Sequence, residues 1–528
     1  MYNNEIGKAS PDGNDHADIN GRVVIKPRAP MDTAETFYDR RTWMANQSLI
    51  RYRNTWYVWT GAKYRKLDAE EVRTELWQFL SKAVAWEKET ETTKDEDGQT
   101  QTNVKMVKRR FRPEPNDVSK LYEALMHYPE LRVPSEVSAP AWLLGTHPAV
   151  VCAKTHSPGD MRACSNGLVD IITGETFPHT PYFLTMNSVD YLYDPEAERP
   201  RFEKFLDEVW PGSSTQRPDD FDDWSDEQKD PQLRRELVQE IFGYLLSSDA
   251  RKQKLFLFTG KPRSGKGTLA RVLKGLVGED NVIGFALDSL DNEFGLEDLI
   301  DKQVAIVGDA RLDGKSHKAV TRLLSISGED KITINRKHEK KWLGTLGVRF
   351  LILTNPLLNF TDASGVIATR FIPVVFSESF EGRENENLTA ELLTELPGIL
   401  NWAIEGLKRL RARGHFVLPP SSLDVIVKLK RKAAPVLNFI DDECELGPKY
   451  QIKRDDLYPI YQGWCETNGH HPMSKTAFVS ALEDADPSIK CKRPRTEADE
   501  DDEKRPFILY GIKRRGAPAK VQTLREVA

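Results

Sequence analysis

Apolar runs separated by glycine-rich turns set the stretch 251–412 apart from more polar flanks. The run at 255–258 (LFLF) reads as a strand buried on both faces, and 269–276 after it has helical period. Two more runs, 304–307 (VAIV) and 350–353 (FLIL), read as further buried strands. Between them VTRLLSIS at 320–327 reads as a helix and KITINRKHEKKW at 331–342 as a basic β-hairpin with Arg336, Lys337 and His338 near its bend. Amphipathic helices at 388–412 close this core.

Upstream, residues 1–30 are polar and predict a flexible leader. A small module follows from 37 to 86, with a hairpin at WYVWTGAKYRK and a helix starting at Glu70 that puts Val72, Leu76, Phe79, Leu80 and Val84 on its apolar face. Residues 87–103 carry charged and polar types without apolar period, which reads as a solvated insertion or linker. The basic run KMVKRRFRP at 105–113 is a nucleic-acid contact or a solvated face. From 115 to 250 the pattern predicts mostly helices, including 200–210 and 232–248, with a short β insert at 166–195.

Downstream of a linker at 415–422, helical segments at 434–444, 455–469 and 474–485 precede a basic 490–495, an acidic 496–504 and a strand-like 507–515. Helices followed by a charge-tipped two-stranded segment predict a winged-helix-like domain over 420–528, a class that binds DNA or protein. The expected domains are thus a leader (1–30), a mostly helical N-terminal region (31–250), an α/β nucleotide core (251–412) and the winged-helix-like tail.

Composition narrows the picture modestly. The 528 residues carry 75 Lys+Arg against 81 Asp+Glu, a net charge of −6, so any nucleic-acid surface has to be local. Five cysteines without a CxxC pair fit a reducing compartment, and Cys152, His156 and Cys164 lack a fourth ligand at zinc-finger spacing. No apolar run approaches a membrane span, and a soluble cytoplasmic protein is expected.

The chemistry concentrates in the loop GKPRSGKGT: Gly260, Lys261, Pro262, Arg263, Ser264, Gly265, Lys266, Gly267 and Thr268. Set between a buried strand and a helix, it has the form of a phosphate-binding P-loop, in which backbone N–H groups and a helix N-terminus face a polyphosphate. Lys266 supplies a charge to the β- and γ-phosphates, and Thr268 has to provide the hydroxyl for Mg²⁺ because Gly267 follows the lysine. Asp309, at the carboxyl end of the second strand, suits a carboxylate holding Mg²⁺ through water, or a loop cap. Ala310 stands where a second acid would polarise water, so a base has to come from elsewhere, with Asp313, Glu329 and Asp330 as candidates. Asn355 ends the third strand and can bond a γ-phosphate or cap a turn. Arg370 can reach a neighbouring subunit's nucleotide or form a surface ion pair.

Taken in order, GKPRSGKGT, VAIVGDARL, SGEDKITINRKHEKKW, FLILTNP and SGVIATRF resemble the phage, plasmid and poxvirus primase-helicases of helicase superfamily 3. NGLVDIITGETFPHTPYFLT and GILNWAIEGLKRLRARGHF are similar to that family too. The resemblance implies an AAA+-like core in a hexameric ring, ATP between subunits and a basic hairpin moving single-stranded DNA. By matching position it implies that Lys266, Thr268 and Asp309 serve ATP and Mg²⁺, Asn355 is a sensor and Arg370 acts in trans, with Lys337 and His338 in the hairpin. It implies forked or single-stranded DNA as substrate, and an initiator, primase or polymerase as partner. The first 250 residues show no paired-carboxylate pattern for primer synthesis. Two other readings compete: a nucleotide kinase, because GKGT occurs in phosphotransferases, and a degenerate ATPase that binds origins or partner proteins, which Ala310 favours.

Overall fold

The structure is a computed structural model that describes residues 22–45, 48–94, 100–134, 136–143, 155–308, 317–337, 340–358, 366–433, 435–468, 472–493 and 506–516. Asp309, Ala310, Asp313, His338, Cys152 and most of the leader lie outside the described residues. The chain forms two compact units, residues 1–192 and 193–528.

In the first unit, an antiparallel sheet of Leu49–Tyr52, Thr55–Trp59 and Tyr64–Leu67 packs with helices Pro30–Ala45, Ala69–Lys82 and Pro115–Met126. Asp68 and Glu71 cap the second helix reciprocally: the Glu71 N–H donates to Asp68 Oδ1 at 2.7 Å and the Asp68 N–H to Glu71 Oε2 at 3.0 Å. Its apolar stripe buries Val72, Leu76 and Leu80, each contributing about 1.5–3 kcal/mol. The helix stops at Lys82, so Val84, expected on its face, instead opens a strand.

Two expectations fail in this unit. The stretch 87–103 is no linker: Val84–Lys94 and Thr100–Arg110 pair in register as a long antiparallel ribbon. With both faces in water, a ribbon requires no apolar alternation, and cross-strand pairs such as Glu89 with Arg109 hold it instead. Nor is the N-terminal region mostly helical. Beyond the ribbon and the first sheet, Met161–Cys164, Gly167–Asp170 and Thr176–Phe177 form a second sheet, and Ala141–Trp142 pairs with Phe183–Leu184. Gly167–Asp170, Thr176–Phe177 and Phe183–Leu184 lie inside the β insert expected at 166–195, while Ala141–Trp142 and Met161–Cys164 precede it. Cys164 lies buried in one of them, and the His156 ring nitrogens approach Asp170 Oδ2 (2.6 Å) and Glu175 Oε2 (2.9 Å).

The second unit is built on five parallel strands in the order Val282–Gly284, Val304–Val307, Arg349–Thr354, Leu255–Gly260, Phe371–Phe376. The strand that leads into the P-loop is the first of the five in the chain yet lies inside the sheet, between Arg349–Thr354 and the edge strand Phe371–Phe376. Helices Asp226–Leu246 and Leu396–Arg413 pack together in this unit, where a Cβ on Gly243 would collide with the Ala403 carbonyl. Helix Pro420–Ala433, which begins inside the expected linker at 415–422, seats Val425 and Leu429 in the core of the sheet, and Ser422 Oγ donates to the Pro373 carbonyl at 2.5 Å.

The C-terminal module runs helix Pro435–Glu443, strand Cys444–Lys453, helices Arg454–Thr467 and Lys475–Ala485, then strands Lys490–Lys492 and Ile508–Arg514. Its sheet places Ile508–Arg514 between the other two strands. The core centres on Phe439, Tyr461 and Phe478, the last two stacked at 4.3 Å.

Candidate functional site

Leu255–Gly260 is buried along almost its whole length, and its parallel neighbours fix where the chain emerges at the carboxyl edge of the sheet. Gly260 adopts φ +143°, and a Cβ there would strike the Phe376 carbonyl. The Lys261 N–H then donates to that same carbonyl at 3.2 Å, which ties the start of the loop to the adjacent strand. At its far end Gly265 takes φ +91° and caps helix Lys266–Val277. A Cβ on Gly265 would stand 3.1 Å from Val209 Cγ2 and 3.2 Å from Phe205 Cζ, so helix Pro200–Val209 closes over the loop from behind.

Lys266 is 8% exposed and folds back on the loop. Its Nζ donates to Ser264 Oγ at 2.9 Å and to the carbonyls of Lys261 (2.5 Å) and Gly260 (3.1 Å). Burial pushes its pKa down to about 8, with no carboxylate among the described residues beside it to offset the lost hydration. A buried ammonium bonded to neutral oxygens alone gains strongly from an anionic partner.

Pro262 through Thr268 line a cavity of about 560 Å³, and Asn355 joins them from the end of Arg349–Thr354. Gly260 and Lys261 shape the loop without lining it. Thr268 Oγ1 accepts a bond from Arg271 Nη2 at 3.2 Å. Four arginines reach this cavity: Arg201, Arg263, Arg271 and Arg383. Only Arg263 belongs to the set read from the sequence. Arg201 Nε bonds Glu391 Oε2 at 2.8 Å, while its Nη1 is buried with no hydrogen-bond partner, an orphan that an anion would satisfy. The described carboxylates at the cavity are Glu208, Glu384 and Glu386. A triphosphate fits this donor set, and Thr268 offers a hydroxyl to its metal ion.

The other candidates lie elsewhere. Arg370 ends the short helix Val366–Arg370, immediately before strand Phe371–Phe376, so it sits at the amino edge of the sheet. There its Nη1 donates to Gln253 Oε1 at 2.9 Å and faces the Gln253 and Ser327 carbonyls at 3.4 Å. Glu329 and Asp330 follow at that same edge, where Gln253 Nε2 donates to the Gly328 carbonyl at 3.4 Å; neither lines the cavity, so neither is brought to it as a base. Burial, and then Arg370 itself, push the pKa of Lys254 down, which marks a cationic patch at this edge.

Lys331–Ile334 and Trp342–Thr345 pair as the expected basic hairpin. Glu297 anchors its bend through the Lys337 N–H (3.1 Å) and Arg336 Nε (3.8 Å), while Lys331, Lys337, Lys340 and Lys341 are exposed and Leu343 is 62% exposed.

Three family models match in succession. "D5 N terminal like" covers residues 34–211, a family of unknown function (DUF5906) covers 258–370, and "Poxvirus D5 protein-like" covers 431–491. The P-loop of this mixed α/β chain thus lies, in sequence, between two D5-type segments. Through these two D5-type segments the chain is similar to phage- and poxvirus-type primase-helicases. Among solved structures, it resembles the NrS-1 C-terminal region at 12% identity, covering 92% of this chain and 99% of that one with a TM-score of 0.43. An A form of the same region gives 11%, 90%, 98% and 0.41. JCV helicase gives 17% identity over 44% of this chain and 65% of that one, with a TM-score of 0.21. Among the described residues no helix is long and apolar enough to cross a membrane.

Proposed function

We propose that the chain is an ATP-driven replicative helicase that translocates on single-stranded DNA as a homo-oligomeric ring. One observation carries this reading: Lys266 and Arg370 belong to opposite edges of one sheet, so the arginine can serve a nucleotide only on an adjacent subunit. The strand order, with the P-loop strand between Arg349–Thr354 and the edge strand Phe371–Phe376, supports an AAA+-like core. The helix–strand–helix–helix–strand–strand succession of the C-terminal module supports a winged helix.

In the proposed cycle, Lys266 exchanges its loop oxygens for β- and γ-phosphate oxygens, and the N–H groups of 264–268 face the same anion. Arg201 contributes its orphaned Nη1, and Asn355 orients the γ-phosphate or the attacking water. Thr268, with Asp309, would hold Mg²⁺, which supplies charge neutralisation across the phosphates. Glu208 is the cavity carboxylate placed on an ordered helix, and so the candidate to polarise water in place of Ala310. Arg370 stabilises charge developing on a neighbour's γ-phosphate, which makes each hydrolysis depend on an adjacent protomer. The lysines of the 331–345 hairpin then grip the DNA backbone. That hairpin has no role in a nucleotide kinase.

The test is unwinding of a forked duplex with ATP by wild type, Lys266→Ala, Arg370→Ala and a mixture of the two variants. Both variants should lose unwinding while the mixture regains a fraction, since intact loops then meet intact arginines. A wild type that neither hydrolyses ATP nor unwinds would overturn the reading in favour of a non-catalytic binding module.

A further inference from the structure

The ribbon of Val84–Lys94 and Thr100–Arg110 has no part in the ATPase cycle, yet its residues are sorted by face. The register sets Trp86 opposite Lys108, Lys88 opposite Met106 and Thr90 opposite Val104. Intervening pairs are Ala85 with Arg109, Glu87 with Val107 and Glu89 with Lys105. Because side chains alternate between faces, one face collects Trp86, Lys88, Val104, Met106, Lys108 and Arg110. Among its described positions that face has no carboxylate. The opposite face takes Glu87, Glu89 and Glu91 and answers them with Lys105 and Arg109, the latter ion-paired to Glu89.

The carboxylate–cation contacts between the strands therefore all lie on one side. The other side exposes half of Trp86 (50%), with Val104 at 59% and Met106 at 48%. Lys108 Nζ stands 5.0 Å from the centroid of the Trp86 ring. The Trp86–Lys108 pair is a cross-strand cation–π contact that helps hold the ribbon, but that contact requires neither Val104 and Met106 exposed beside it nor the further cations Lys88 and Arg110 on the same face. A flat ring flanked by cations matches a partner with stackable rings on an anionic backbone.

We infer that the Trp86–Lys108 face of this ribbon binds single-stranded nucleic acid, forming a second contact separate from the 331–345 hairpin. The choice of nucleic acid as partner rests on the helicase reading. Trp86 stacks on a base, Lys88 and Lys108 contact phosphates, and Met106 and Val104 extend the apolar platform.

The experiment is anisotropy of a labelled oligothymidine with the full chain, without nucleotide, across a salt series. Lys88→Glu/Lys108→Glu should weaken binding at least tenfold and lower the log–log salt slope by about 1.4, as expected for two lost single-strand phosphate contacts. Trp86→Ala should weaken it about tenfold with the slope unchanged. Lys105→Glu, on the opposite face, should change it less than about twofold, and DNA-free ATPase should stay at the wild-type rate in all of them. The inference is overturned if Lys105→Glu matches the double variant, if Trp86→Ala binds as wild type, or if a duplex shows the same Trp86 dependence. An unchanged double variant with wild-type oligothymidine binding removes this inference alone and directs the face to an acidic protein. A wild type that binds no oligonucleotide removes the helicase reading with it.

Discussion

Lys266 and Arg370 flank adjacent parallel strands at opposite ends: the lysine follows Gly260 by way of the loop, and the arginine directly precedes Phe371, which pairs with Leu255. Six residues of strand separate the two edges, about 20 Å at 3.3 Å per residue. No side-chain rotation bridges that span within one subunit. Arg370→Ala should therefore leave nucleotide affinity within about twofold while lowering kcat on the order of a thousandfold, the scale of a missing trans arginine. Binding of a fluorescent ATP analogue beside steady-state hydrolysis separates the two effects, and undiminished hydrolysis would sink the interface assignment.

Lys266 brings a pH dependence whose sign can be worked out. Its free-state pKa is about 8, and a phosphate partner raises it, so the complex holds more protons than the free protein once pH exceeds 8. Affinity should be full below pH 8 and fall as pH rises through it, by up to about tenfold per unit. Calorimetric titration of ATP between about pH 7 and 9 checks this. Lys266→Met should bind weakly with no such slope, and a flat wild-type profile would contradict the assignment.

Arg201 is expected to act on the nucleotide rather than on the fold. Arg201 lines the cavity and its Nη1 is buried without a hydrogen-bond partner, while its backbone N–H and that of Phe202 donate to the Glu395 carboxylate at 3.0 and 2.8 Å. Arg201→Ala should raise the KM for ATP about tenfold and shift the melting temperature little. A collapse of the melting temperature with KM unchanged would make it a structural residue.

Glu395 gives the complementary case. It caps the first turn of Pro200–Val209 from another helix, and that helix closes on Gly265 through Phe205 and Val209. Glu395→Ala should destabilise the protein by about 1–2 kcal/mol, seen in urea denaturation, and should also weaken ATP binding because the loop loses its backing.

The hairpin lysines should control coupling to DNA. Lys337→Glu with Lys341→Glu should abolish the stimulation of ATPase by single-stranded DNA and leave the DNA-free rate within about twofold. Equal loss of both rates would mean the hairpin supports the nucleotide site instead.

The central sheet was legible because parallel strands covered on both faces print continuous apolar runs, as at 255–258, 304–307 and 350–353. The loop was legible because glycine spacing is a local demand of backbone geometry. The 84–110 ribbon was not, since a structure wetted on both sides leaves no apolar period, and Cys444–Lys453 escaped for the same reason, with an irregular register between Leu446 and Gln451. Arg201 and Arg383 reach the cavity from segments far apart in the chain; nothing local marks either one, and only the fold brings them together. Asn355 and Arg370 could be tied to strand ends from the sequence, but that one lines the cavity and the other lies at the opposite edge depends on strand order.

Helix Pro420–Ala433 is bonded to the strand that starts beside Arg370, through Ser422 and the Pro373 carbonyl, and buries Val425 and Leu429 beneath it. The helix that leads into the C-terminal module is therefore fastened to the edge strand of the sheet. On the proposed helicase reading, a displacement that docks or releases Arg370 at a neighbour would pass through this helix to the C-terminal module.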